Sequence, residues 1–96
     1  MPVDHMVWIK FHDGISDEQI NTHLTNLGGM KPHVPAILEV KVGQNFTDRS
    51  GGYTHGLIVT VADKDALPEY INHPYHVEVA TPLKADASLL AMDIEY

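Results

Sequence analysis

Apolar residues recur with a period of two in four stretches of the chain and with a helical period in two others. Residues 3–11 (VDHMVWIKF) place Val3, His5, Val7, Ile9 and Phe11 on one face of a strand and Met6, Trp8 and Lys10 on the other. Both faces carry large apolar groups, so this strand is expected to be covered on both sides. Residues 37–44 (ILEVKVGQ) predict a second strand in which Leu38, Val40 and Val42 alternate. Residues 53–61 predict a third, with Tyr53, His55, Leu57, Val59 and Val61 on one face, and 89–95 (LLAMDIE) a fourth.

Ser16-Asp17-Glu18-Gln19 has the S-x-x-Q form of a capping box and predicts a helix over about residues 17–28, with Ile20, His23, Leu24 and Leu27 on its buried stripe. Gly28-Gly29 ends it, and Pro32 and Pro35 block its continuation. Asp63 is placed to cap a helix through Leu67, Tyr70 and Ile71, with Pro68 in its first turn. His73-Pro74 interrupts that helix, and Pro74 is suited to begin another. The order βαββαβ is the ferredoxin-like arrangement of the α+β class, a four-stranded antiparallel sheet with helices on one face. Residues 1–96 form a single domain in this reading.

The other sheet face then carries Met6, Trp8, Ile58, Leu90, Met92 and Ile94. Monomers rarely expose so large an apolar surface. A second copy packed sheet against sheet covers it, which predicts a homodimer with a shared barrel.

Composition narrows the function. With only six Lys and Arg and a net charge of −7, the chain has no basic stripe for a nucleic-acid backbone. It has no cysteine, hence no disulfide and no thiolate metal site. No apolar run approaches the roughly 20 residues of a membrane span. The opening MPVDHMVWIK lacks the basic and apolar regions of a secretory signal, so a cytoplasmic location is expected.

Seven histidines are the chemical signal. Imidazole exchanges a proton near neutrality, with an ordinary pKa of about 6.5. His76, following Pro74 at a helix start, is the candidate base, and Tyr70 is a candidate donor to a substrate oxygen. His5 and His55 face the helices on neighbouring strands, where they are able to bond each other, orient His76, or simply pack in the core. His12 and His33 fall in turns. No short ligand spacing marks a metal site, and neither a metal nor a cofactor is expected.

Several of these elements together resemble the stress-responsive A/B barrel (Dabb) family. They are His5 before MVWIKF, DGISDEQ, Val34-Pro35-Ala36-Ile37, Gly52-Tyr53-Thr54-His55, and Tyr70-Ile71-Asn72-His73-Pro74-Tyr75-His76. The resemblance runs almost end to end and implies a dimeric α+β barrel. Members that are enzymes include a polyketide cyclase and a hydroxynitrile lyase, with a pocket between sheet and helices. The resemblance implies His76 and Tyr70 as acid/base group and substrate anchor, with His5 beside them. A small carbonyl-type ligand in such a pocket of this chain is expected to be lined by His23, His55, Val7, Ile9, Leu27, Leu57, Val59 and Ile71. The enzymes carry a tyrosine near the position of Leu27; this chain has His23 one turn earlier and no tyrosine between residues 12 and 52. The alternative expectation is a non-enzymatic stress-responsive structural protein whose histidines are packed and mutually satisfied.

Overall fold

The computed structural model describes every residue from Met1 to Tyr96. Its elements are β1 (Val3–Phe11), α1 (Asp17–Gly28), a 3₁₀ turn (Lys31–His33), β2 (Ile37–Gln44), β3 (His55–Val61), α2 (Ala66–Ile71), α3 (Pro74–Asp86) and β4 (Ala87–Glu95). The four strands form one antiparallel sheet in the order β2-β3-β1-β4, the ferredoxin-like topology.

Local chemistry sets the helix boundaries. Both halves of the capping box are made: Gln19 N–H donates to the Ser16 hydroxyl, and the Gln19 side chain receives the Ser16 N–H. At the start of α2, Ala66 N–H donates to the Asp63 carboxylate at 2.9 Å, so Asp63 caps from three residues upstream. Pro74 opens α3, whose preceding residue, His73, is extended and accepts the Tyr75 N–H on its own Nδ1 at 3.1 Å.

One sheet face meets the helices. Val3, Val7, Ile9, Leu57, Val59 and Val61 from the strands pack with Leu27 of α1, Tyr70 of α2 and Val79 and Leu83 of α3. The opposite face is bare, with Leu90 and Met92 each 56 % exposed.

Three expectations are corrected. Leu38 does not alternate inward with Val40 and Val42. The β2–β3 register slips between Ile37 and Glu39, inserting one residue, so Ile37 is buried and Leu38 is turned out. Tyr53 lies before β3, because Gly51 and Gly52 adopt positive φ and the ladder proper starts at His55. β4 starts at Ala87 instead of residue 89, directly after α3. As the His73-Pro74 break predicts, the second helical segment is two helices, and α3 continues through Pro82.

Candidate functional site

Strand parity puts His5 on the helix side of β1 and Asp93 beside it on β4, since His5 and Asp93 are register partners. The His5 Nδ1–H donates to Asp93 Oδ1 at 2.5 Å. This bond fixes the tautomer and leaves Nε2 with the free lone pair. Tyr70, on the inner side of α2, is fully buried and sits between two imidazoles. Its ring meets that of His5 edge-on at 5.6 Å and that of His76 edge-on at 4.5 Å.

His76 lies in the first turn of α3, and its Nδ1 is 2.8 Å from the Ile71 carbonyl oxygen. A carbonyl only accepts, so Nδ1 carries the hydrogen and Nε2 is left with a free lone pair. Burial lowers the His76 pKa, against the Ile71 bond that raises it, and the charges of His5 and Lys84 lower it further. The ring is therefore neutral at neutral pH and competent as a base.

The Tyr70 hydroxyl is the one buried side-chain polar atom without a hydrogen-bond partner. Burial pushes its pKa up and the nearby Asp93 carboxylate adds to this, so it remains a phenol and a donor. An unmet buried donor costs on the order of 1–3 kcal/mol, which sets this hydroxyl apart from an ordinary core group.

The structure does not bring His23 and His55 to this cluster. His5 pairs with Val59 and His55 with Ile9, four residues further along β1, or about 13 Å at a rise of ~3.3 Å per residue. His5 and His55 therefore do not bond each other. At that far end His23 Nε2 pairs with Asp86 Oδ2 at 2.7 Å and stacks on Phe11, with ring centroids 5.8 Å apart. His55 meets Phe11 edge-on at 5.3 Å and pairs through Nδ1 with the Thr54 hydroxyl at 2.8 Å. Burial lowers its pKa. A cleft of about 670 Å³ opens here, lined by Phe11, Ile20, Asn21, Gln44, Thr54 and His55 among others.

Val7, Ile9, Leu27, Leu57 and Val59 fill the layer between the two ends as packed core. Ile71 supplies the carbonyl that orients His76. No group of three or more His, Asp or Glu side chains is placed to hold a metal ion, and no helix is long and apolar enough to cross a membrane.

Sequence reasoning missed Asp93 and Asp86, the two carboxylates that orient buried histidines. For Asp93 the signal was present: Met92 was placed outward, and the next residue of a strand points to the other face.

Comparison with known proteins agrees with this architecture. The family model for the stress-responsive A/B barrel domain matches residues 3–95. The stress-response A/B barrel domain-containing protein HS1 of Arabidopsis thaliana is 33 % identical over 82 residues, spanning 83 % of this chain and 75 % of that protein. Olivetolic acid cyclase of Cannabis sativa is 32 % identical over 79 residues, 80 % of this chain and 78 % of the cyclase. A dimeric ferredoxin-like protein of unknown function from Jannaschia sp. CCS1 superimposes with a TM-score of 0.86 at 27 % identity, covering 100 % of both chains.

Proposed function

The chain belongs to the stress-responsive A/B barrel domain family, and on that premise we propose that it binds a small carbonyl compound at Tyr70 and His76 and performs acid/base chemistry of the cyclase or lyase type on it. The observation that carries this reading is the buried, unpartnered Tyr70 hydroxyl between two imidazoles. A carbonyl oxygen accepting from that hydroxyl meets the unmet donor. His76 Nε2 is then the base for a proton on the carbon next to the carbonyl, and the phenol stabilises the enolate oxygen that develops. The proton taken up by His76 Nε2 is returned to the product from the same atom, and His5, held by Asp93, is the second imidazole against the Tyr70 ring. The olivetolic acid cyclase likeness supports this class of chemistry.

A second reading has its own support. Each of the histidines His5, His23, His55 and His76 already has a hydrogen-bond partner, as a purely structural domain requires. In either reading the chain acts as a homodimer joined through the bare sheet face. Support for this comes from the exposure of Trp8, Leu90, Met92 and Ile94 and from the dimeric relative.

The test is calorimetric titration with a panel of small 1,3-diketones and phenolic ketones. Wild type is expected to bind at least one. Tyr70→Phe should weaken that binding about tenfold or more, the worth of one buried hydrogen bond to the ligand. His76→Gln should retain binding and lose any turnover. A panel with no binder, or equal affinity in wild type and Tyr70→Phe, overturns the ligand reading and leaves the structural one.

A further inference from the structure

The 670 Å³ cleft beside His55 has a floor, walls and a rim of different chemistry. It opens on the helix side of the sheet, between the β1–α1 turn, the start of α1 and the ends of β2 and β3. His55 is its floor: the residue is 9 % exposed and still borders the cleft. The Thr54 hydroxyl lies 2.8 Å from His55 Nδ1 and donates to the Ile9 carbonyl oxygen at 3.4 Å. With its one hydrogen committed there, the hydroxyl accepts from Nδ1–H, and Nε2 keeps a free lone pair. Nε2 has no partner within the chain, and it is not sealed off either, because the sealed atom without a partner is the Tyr70 hydroxyl. Burial also lowers the His55 pKa, so the ring is a neutral acceptor near pH 7.

Half-buried Phe11 and Ile20 are the walls. Phe11 is held from two sides, stacked on His23 at 5.8 Å and met edge-on by His55 at 5.3 Å. Asp86 fixes His23 in turn, so the His23–Asp86 pair is scaffold that holds a flat apolar wall in place. The exposed carboxylates Asp13 and Asp17 stand at the rim, and no lysine or arginine borders the cleft. The N-terminus of α1 is already answered by the Ser16–Gln19 box and by Asp17 and Glu18. An anion therefore meets repulsion here without a compensating donor.

We propose that this cleft is a second binding site, for a phenolic amine whose ring lies against Phe11 and Ile20, whose hydroxyl donates to His55 Nε2 and whose ammonium stays at Asp13 and Asp17. The depth of each group decides the orientation. Burying a charge costs far more than burying a hydroxyl that finds an acceptor, so the hydroxyl goes to the floor and the charge remains at the rim. The site is independent of Tyr70 and His76: His55 stands opposite Ile9, four residues along β1 from His5.

Tyramine is the probe, followed by NMR of the whole chain. Its addition should shift the His55 ring signals and leave those of His76 in place. Phenethylamine, which lacks the hydroxyl, should bind about tenfold more weakly, and 4-hydroxyphenylacetate, with a carboxylate in place of the amine, more weakly still. His55→Leu should bind tyramine no better than phenethylamine. Because that change touches a buried ring, the exposed pair Asp13→Asn and Asp17→Asn is the second variant; it should fold as wild type does and lose several-fold in tyramine affinity. Tyr70→Phe should bind tyramine as wild type does. Tyramine that leaves the His55 signals unshifted, binds no better than phenethylamine, or binds the aspartate variant as tightly as wild type overturns this site and leaves the Tyr70–His76 reading standing.

Discussion

The two ends of the sheet–helix layer are built from the same parts and differ in one atom. At one end His5 is paired with Asp93, and at the other His23 is paired with Asp86. Each pair adjoins an aromatic ring and a second histidine: Tyr70 with His76, and Phe11 with His55. Phe11 asks nothing of its surroundings beyond contact. Tyr70 brings a hydroxyl that the chain never satisfies. The pairing of a histidine with a carboxylate is therefore not what marks a site in this molecule. A buried donor with nothing to donate to is the distinguishing feature.

If the His23–Asp86 end is structural, breaking it should cost the most. Asp86→Ala leaves the His23 ring buried with its Nε2 bond gone, a loss of about 1.5–3 kcal/mol for a bond to a charged group. Thermal melting should fall on the order of 10 °C for a domain of this size. Ligand affinity at Tyr70 should not change once the variant is folded. A drop in affinity larger than the drop in stability would merge the two ends into one functional unit.

Acid offers a comparison of both ends in a single experiment. His55 and His76 each titrate below the ordinary 6.5 because burial disfavours their charged forms. As pH falls through 6.5 the unfolded chain takes up these protons before the folded chain does, so stability declines. The decline continues until the folded-state values are passed and then levels off. Its slope is bounded by about 1.4 kcal/mol per pH unit for each imidazole. Denaturant melts from pH 7 downward should show this slope, and His55→Gln and His76→Gln should each remove part of it. A slope unchanged in His76→Gln would mean that this ring is not held neutral by the fold.

Much of this was legible along the chain, for identifiable reasons. Period-two alternation fixes strand faces and places His5, Val7 and Ile9 together on the helix side. The Ser16–Gln19 capping box and the His73-Pro74 break are local devices, readable from neighbouring residues alone. The outward turn of Leu38 is not legible, because a bulge belongs to a pair of strands and neither sequence announces the slipped register. The His23–Asp86 pair spans 63 positions, and no local pattern encodes it. The fate of His55 was similar. Its face was readable, but its distance from His5 depends on which residues β1 and β3 set opposite each other.

Asp93→Ala sharpens the comparison from the other side, with a smaller effect on stability. The Asp93 side chain is 44 % exposed, so water replaces part of what is lost and the cost should be about 0.5–1.5 kcal/mol. The functional consequence should be disproportionate: His5 loses the bond that fixes its tautomer, and ligand turnover should drop. Asp93→Asn retains an acceptor for the Nδ1–H and should recover part of it. Equal loss in the two variants would give Asp93 a role other than orienting His5.

The smallest effect on stability separates the two readings most cleanly, because it turns on sign. Removing the hydroxyl of a buried tyrosine normally destabilises, since a hydrogen bond goes with it. Here no bond exists to lose. Tyr70→Phe keeps the ring contacts with His5 and His76 and removes an unmet donor, so unfolding free energy should stay level or rise by up to about 1 kcal/mol. Chemical denaturation of the ligand-free protein, with the denaturant slope held equal between variants, measures this directly. A loss of more than about 1 kcal/mol would mean that the hydroxyl has a partner within the folded chain or its dimer. The contrast between the two ends would then disappear, and Tyr70 would join Phe11 as packing.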